Sequence, residues 1–274
     1  MSIRLIATDM DGTLLRSDKT VSKRTVRVLS KAIQKGCVFV PATGRVAKML
    51  PKAAASIPGV CWAITSNGAS VLNLKTNTPI FTDLMTEEQS NRILTKLCAT
   101  GYLTEAYCGG VPYSEHKALD RLLKLNPPEL VVRLVSESQV FVDSLPEFIA
   151  SHRARLEKVN MPYLPDAPRK QLYQELSQCT EFSICSSCST NIEINKAGCS
   201  KGRALKFLCE KLGILPEEVM AEGDGGNDMS MLKYAGLAVA MQNAEKEVLA
   251  QADFITKSND EDGAAVAVEK FVLV

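Results

Sequence analysis

The chain has 274 residues with 32 basic and 31 acidic side chains, so it is close to neutral and carries no basic stripe or like-charge run that would mark a nucleic-acid binder or an interaction tail. Hydrophobic residues make up 46% and charged residues 23%, which excludes global disorder and allows one large or two modest domains. The first apolar run is broken by Asp9 and Asp11, no stretch approaches the roughly 18 apolar residues of a membrane helix, and the nine cysteines show no framework; the expectation is a cytoplasmic protein with free thiols, without nucleic-acid or membrane partners, as a monomer or weak homo-oligomer.

Ile3 to Thr8 is short and apolar and predicts a buried strand. Val21 to Gln34 has helical apolar spacing, with Ser22 as N-cap and Gly36 as stop. Cys37 to Pro41 predicts a second strand, Arg45 to Ser56 a helix interrupted by Pro51, and Val60 to Thr65 a third strand. This alternation predicts a parallel sheet covered by helices.

From Phe81 to about Thr190 the rhythm is lost. Helices are predicted at Glu87 to Ala99 and Glu147 to Lys158, and strands at Val131 to Val135 and Glu181 to Cys185, with breaks at Pro127-Pro128, Pro162 and Pro165. This segment reads as an inserted α+β domain at 84–189, so the core, 1–83 and 190–274, is discontinuous. The α/β rhythm then returns. Ser200 to Leu212 is a helix closed by Gly213, Val219 to Gly223 a strand, Asp228 to Tyr234 a helix and Leu237 to Ala240 a strand. Ala244 to Ala250 (helix), Phe254 to Thr256 (strand) and Gly263 to Phe271 (helix) complete the chain.

Four motifs fall at strand-to-helix junctions or helix starts. Asp9-Met10-Asp11-Gly12-Thr13 follows the first strand. Two adjacent carboxylates are tolerated when a cation is shared or one is protonated, and they can serve as nucleophile and general acid/base. Ala42-Thr43-Gly44-Arg45 follows the second strand and joins a hydroxyl, a permissive backbone and a helix N-terminus into an anion site. Lys201-Gly202 opens a helix with an ammonium able to neutralise phosphate. Gly223-Asp224-Gly225-Gly226-Asn227-Asp228 supplies the hard oxygen ligands that suit Mg2+. Each has an ordinary structural explanation alone: an Asp-Gly turn, a cap, a solvated lysine, a Gly-rich turn. Together, at one edge of a parallel sheet, they supply what phosphoryl transfer requires.

With Ser66-Asn67-Gly68-Ala69 included, this ordered set resembles the haloacid dehalogenase superfamily, and within it the Cof-like branch of sugar-phosphate phosphatases. Asn243-Ala244, Ala252-Asp253 and Ser258 to Gly263 are similar to that branch as well. The resemblance implies a Rossmann-like core with an α+β cap that sets specificity. It also implies a Mg2+-dependent phosphomonoesterase acting on a small phosphorylated metabolite. In that pattern Asp9 is the nucleophile, and Asp11 protonates the leaving alcohol and then activates water, which requires a raised pKa. Thr43, Gly44 and Lys201 hold the phosphoryl group, and Asn227 touches the phosphate or Lys201. Asn67 and Arg45 lie toward the leaving group. Asp9, the carbonyl of Asp11 and Asp224 hold the metal, with Asp228 a nearby ligand or a residue that orients the ligands. A non-catalytic sensor of a phosphorylated ligand and a phosphomutase are the alternatives.

Cys185-Ser-Ser-Cys188 has metal or redox spacing, but no second such pair exists, and free thiols on a strand pair are expected. His116 and His152 are expected at the surface and Trp62 in the core.

Overall fold

The computed structural model describes residues 2–55 and 57–274. Its first segment contains β1 (Leu5–Asp9), α1 (Lys23–Gln34), β2 (Val38–Ala42), α2 (Lys52–Ala55), β3 (Trp62–Thr65), β4 (Ser70–Asn73) and β5 (Thr78–Thr82). The middle contains α3 (Glu87–Ala99), β6 (Glu105–Cys108), β7 (Val111–Glu115), α4 (His116–Leu123), α5 (Glu129–Ser138), β8 (Val140–Val142), α6 (Leu145–Ser151), β9 (Lys158–Met161), α7 (Asp166–Ser177), β10 (Phe182–Cys185) and β11 (Ile192–Lys196). The last segment contains α8 (Lys201–Leu212), β12 (Val219–Gly223), α9 (Met229–Tyr234), β13 (Leu237–Ala240), α10 (Lys246–Gln251), β14 (Phe254–Ile255) and α11 (Gly263–Phe271). Two compact units result: Met1–Gly44, Leu50–Phe81 and Ser200–Val274 form one, Arg45–Met49 and Thr82–Cys199 the other.

The first unit is built on an eight-stranded sheet in the order β14-β13-β12-β1-β2-β3-β4-β5. Strands β14 through β3 run parallel, and β4 turns back antiparallel to β3. All five residues of β1 are buried, as a central parallel strand covered on both faces requires. Ile6 shares an apolar cluster with Val28 and Leu29 of α1 and Val268 of α11. Leu5 and Ala7, on the opposite face, pack with Leu205 and Leu208 of α8 and Met231 of α9. Each such fully buried aliphatic side chain contributes about 2 kcal/mol. The layers make an α/β/α sandwich, the α/β fold class expected from the alternating rhythm. Ser22 caps α1 by accepting from the Thr25 amide at 3.0 Å, and Gly213 closes α8 in the left-handed region.

The second unit has a six-stranded, largely antiparallel sheet in the order β10-β11-β9-β6-β7-β8. Ala106, Val159, Met161, Ile192 and Ile194 face Leu94 and Leu97 of α3, Ile149 of α6 and Leu176 of α7 in one apolar cluster. The pleat sends the alternate residues Glu105, Tyr107, Lys158, Asn160 and Glu193 to the other face.

Three sequence expectations are corrected. Val131 to Val135 is helical, within α5, because Val131 and Val135 pack on one face against Leu103, Ala118 and Leu122; helical spacing outweighed β-branching. The helix expected from Glu147 to Lys158 ends at Ser151, where Arg153 enters the left-handed region, and Lys158 begins β9. The helix expected from Arg45 to Ser56 is a 3-10 turn at Ala47–Met49 and the single turn α2, divided before Pro51; Ser56 lies outside the described residues. His116 and His152 are exposed, Cys185 lies on the β10–β11 hairpin, and Trp62 is half-buried beside the core. Among the described residues no helix is long and apolar enough to cross a membrane.

Candidate active site

The parallel strands of the first unit end together, and the predicted residues are carried at those ends. Asp9 is the last residue of β1, Thr43 follows β2, Asn67 lies two residues beyond β3, and Asp224 follows β12. These four strands are neighbours in the order β12-β1-β2-β3, so side chains more than 200 positions apart in sequence share one edge. Lys201 is the first residue of α8, and Asp228 closes the turn before α9.

Lys201 is fully buried, and its Nζ donates to Asp9 and, at 2.6 Å, to Oδ1 of Asp228. Burial would lower the pKa of this ammonium, and the helix N-terminus beside it would also disfavour a cation. Asp228 and Asp9 outweigh the burial and raise it, so the lysine is held charged. The second oxygen of Asp228 accepts from the amides of Asp224 and Gly225, both at 3.0 Å, which fixes the Gly-rich turn. Thr13 donates to Oδ1 of Asp224 at 2.7 Å. Burial and the Asp228 and Asp224 carboxylates push Asp9 well above the usual carboxylate range, against the pull of Lys201. Burial likewise raises Asp224 to about 6, partly opposed by the Thr13 hydrogen bond.

Asp9, Asp224 and Asp228 each offer an oxygen within 4.8 Å of the others. Three carboxylates surround one ammonium, leaving excess negative charge in a largely desolvated place. A set of oxygen donors with uncompensated charge fits a hard divalent cation.

Two tight loops bring this edge together. Gly12 has φ of +87°, and a Cβ there would lie 2.2 Å from an Asp224 carboxylate oxygen, so glycine permits both the turn and the close approach. Ser66, Asn67 and Gly68 have φ of 52°, 59° and 97°, a run that costs free energy and is characteristic of functional loops. The run lets the Asn67 amide donate to the Thr43 carbonyl at 3.1 Å and places the Asn67 side-chain oxygen 3.3 Å from Nδ2 of Asn227.

Asp9, Asp224, Asp228 and Lys201 therefore form one cluster, with Thr43, Asn67 and Asn227 linked beside it. The carboxylate of Asp11 is outside the three-carboxylate group; Oδ1 accepts from Lys19 at 3.0 Å, with both side chains partly exposed. Gly44 ends a segment of the first unit, whereas Arg45 belongs to the second. The sequence reading did not single out Thr13 or Lys19. Thr13 sits inside the first motif, so its position was a usable signal. Lys19 carries none, because only a left-handed turn at that residue, φ 66°, returns it to Asp11.

A family model for haloacid dehalogenase-like hydrolases matches residues 6–268. The 5-amino-6-(5-phospho-D-ribitylamino)uracil phosphatase YcsE of Bacillus subtilis is 33% identical over 273 residues, covering 100% of this chain and 97% of that protein. The phosphatase YwpJ of Bacillus subtilis is 29% identical, covering 96% of this chain and 98% of its own length. A solved haloacid dehalogenase-like hydrolase from B. subtilis superposes with a TM-score of 0.85 at 28% identity, covering 98% of this chain and 100% of that one. Family members generally use a metal ion, and the carboxylate group described above is of the type that holds one. The fold and these relatives make the chain a phosphomonoesterase, and it belongs to the haloacid dehalogenase-like hydrolase family.

Proposed function

We propose that the chain hydrolyses the phosphomonoester of a small metabolite, a sugar phosphate or a relative of one, with Mg2+ as its metal and an aspartyl phosphate on Asp9 as intermediate. The observation that carries this reading is the buried Lys201 ammonium held between Asp9 and Asp228, with Asp224 alongside. An Asp9 oxygen attacks phosphorus, and the bond from phosphorus to the leaving oxygen breaks. Asp11 gives its proton to that oxygen. The Asp11 carboxylate then takes a proton from water, whose oxygen attacks phosphorus, and inorganic phosphate departs as Asp9 is restored. Lys201, Thr43, the Gly44 backbone and Asn227 hold the transferring group throughout, so catalysis rests on positioning and charge stabilisation. Asp9, the Asp11 carbonyl, Asp224 and Asp228 would hold Mg2+, which when bound offsets the repulsion between an anionic nucleophile and an anionic substrate.

The second unit is assigned to substrate choice. The relative named for a ribitylamino-uracil phosphate adds phosphorylated sugar alcohols to the candidates for this chain.

The test is phosphate release from a panel of sugar phosphates, nucleotides and p-nitrophenyl phosphate, with and without Mg2+, for wild type and Asp9→Asn. The expected result is metal-dependent turnover that falls about 10³-fold or more in the variant. Saturable binding of a phosphate ester with no turnover would support a sensor instead. Return of the phosphate to another position of the sugar would identify a mutase.

A further inference from the structure

The loop after β1 carries Asp11, and its first part is fixed to the core: Met10, Leu14 and Leu15 are buried, the Leu14 amide donates to the Asp9 carbonyl at 3.1 Å, and Thr13 donates to Asp224. Its internal bonds form two turns: the Leu15 amide donates to the Met10 carbonyl at 2.8 Å, and the Arg16 amide to the Thr20 carbonyl at 2.9 Å. The second turn places Lys19 on Asp11.

Further fixation, from Gly12 to Ser17, comes from the far end of the sequence, from the segments after β13 and β14. Nδ2 of Asn243 donates to the Gly12 carbonyl at 2.9 Å, one residue beyond Asp11. Nδ2 of Asn259 donates to the Leu15 carbonyl at 2.9 Å. Asp260 accepts from the Ser17 amide at 2.9 Å and from its hydroxyl at 2.7 Å. Asp262 accepts from Nη2 and Nε of Arg16 at 2.7 and 3.2 Å. The donors are themselves braced. The Asn259 amide donates to Oδ1 of Asn243 at 3.0 Å, and the Glu245 amide donates to the Asp224 carbonyl at 2.9 Å. Gly263 completes the brace, because a Cβ there would lie 2.0 Å from the Lys257 carbonyl oxygen.

We propose that Asn243, Asn259, Asp260 and Asp262 form a clamp that positions the Asp11 loop for proton transfer to the leaving group, which gives a task to the Asn243 and Ser258–Gly263 motifs. This rests on the phosphatase reading, in which Asp11 is the general acid. The clamp acts on the chain that follows Asp11, through the carbonyl of the next residue and through the turn that carries Lys19. These four are positioning residues, since none of them is assigned a contact with the reacting atoms. A loosened clamp impairs proton donation before it impairs phosphate binding, because Lys201 and Thr43 are held by other elements.

The experiment uses the full chain and two aryl esters of similar size. Phenyl phosphate has a leaving group that needs a proton, and 2,4-dinitrophenyl phosphate has one that does not. Asp260→Ala, Asp260→Asn and the double variant Asn259→Ala/Asp260→Ala are compared with wild type. In the double variant kcat/KM on phenyl phosphate, which reports transfer to Asp9 and not the later hydrolysis that both esters share, should fall about tenfold or more, with less than about threefold loss on the dinitrophenyl ester. Asp260→Asn keeps an acceptor for the Ser17 amide and should recover most of what Asp260→Ala loses. Amide hydrogen exchange across residues 12–20 should accelerate about tenfold in the double variant. Equal losses on the two esters, no loss on phenyl phosphate, or unchanged exchange would each overturn the clamp. If wild type releases phosphate from neither ester and from no member of the substrate panel, the phosphatase reading itself falls and the clamp's catalytic task with it, and the exchange rates then report a purely structural brace.

Discussion

In the first unit the clustered charges of Asp9, Asp224, Asp228 and Lys201 come from separate chain segments and meet only at strand ends and helix starts. In the second unit the buried Glu105, Lys158 and Glu193 occupy alternate positions of adjoining strands, where register alone makes them neighbours. There Lys158 lies 3.2 Å from Glu193 and over the Tyr107 ring. Burial raises the Glu105 pKa, opposed by hydrogen bonds from Asn160 at 2.6 Å and Tyr107 at 2.9 Å. The second set, two carboxylates to one ammonium, is met by the Lys158–Glu193 ion pair and the hydrogen bonds to Glu105, though Oδ1 of Asn160 has no hydrogen-bond partner among the described residues. The first set, three carboxylates to one ammonium, carries the larger excess of negative charge. Paired charges on a pleat are compatible with a structural role, whereas unbalanced carboxylates at strand ends remain costly until a cation or an anionic substrate with its counter-ion completes them.

The contrast predicts opposite responses to neutralising one carboxylate. Glu193→Gln removes the anion beside a buried ammonium and should cost about 3 kcal/mol. Asp9→Asn in the metal-free protein relieves the excess and should stabilise by about 1 to 3 kcal/mol. Urea denaturation of both variants in chelator measures the two values. Losses in both would mean that the first cluster is not charge-imbalanced.

Glu222 sharpens the comparison, being buried in the first unit with no cation as partner among the described residues. Its Oε2 accepts from Thr8 at 2.7 Å, and its Oε1 has no hydrogen-bond partner among the described residues. Burial pushes its pKa up to about 8, against the Thr8 hydrogen bond. The folded pKa lies above the unfolded one, so the protonated acid favours folding at low pH. That stability is lost as pH rises from about 4.5 toward 8. Glu222→Gln should remove the dependence and stabilise the protein by about 3 kcal/mol at pH 7, read from denaturation midpoints between pH 5 and 8. A parallel pH dependence in wild type and variant would place the titrating group elsewhere.

Metal titration separates the two clusters next. Mg2+ at a hundredfold excess over its Kd should stabilise the protein by about 2.7 kcal/mol. Asp224→Asn should erase most of that gain, and Glu193→Gln should leave it intact. The smallest effect is a control. Ser200 caps α8, which carries Lys201, by accepting from the Arg203 amide at 3.2 Å, and Thr86 closes a capping box with Gln89 on α3. Alanine at either should cost about 1 kcal/mol, because a cap acts locally in either unit. A much larger loss at Ser200 would show that α8 is coupled to the charges it supports.

Much of the fold was legible wherever local pattern and tertiary role agree. Val219 to Gly223, Leu237 to Ala240 and Gly263 to Phe271 have the predicted bounds, since apolar runs closed by glycines or polar turns leave little choice. Glu87 to Ala99 does as well, because Thr86 and Gln89 mark its start chemically. The Val131 to Val135 strand failed because β-branched residues also tolerate a helix when its buried face needs them. The ending of α6 failed because a left-handed Arg153 has no residue-type signal of the kind glycine provides.

The sequence by itself determined which residues could do chemistry: Asp9, Thr43, Lys201, Asp224 and Asp228 all stand at strand ends or helix starts, where a parallel sheet gathers loops. It also determined the α/β class, because hydrophobic periodicity is a local property. The tertiary structure alone decided which charges meet. Lys201 bridging Asp9 and Asp228, Lys19 returning to Asp11, and Asn243 and Asn259 reaching the β1 loop depend on strand order and on backbone conformations with positive φ. Such contacts join segments far apart in the chain, and their energies exist only once the sheet has brought those segments together.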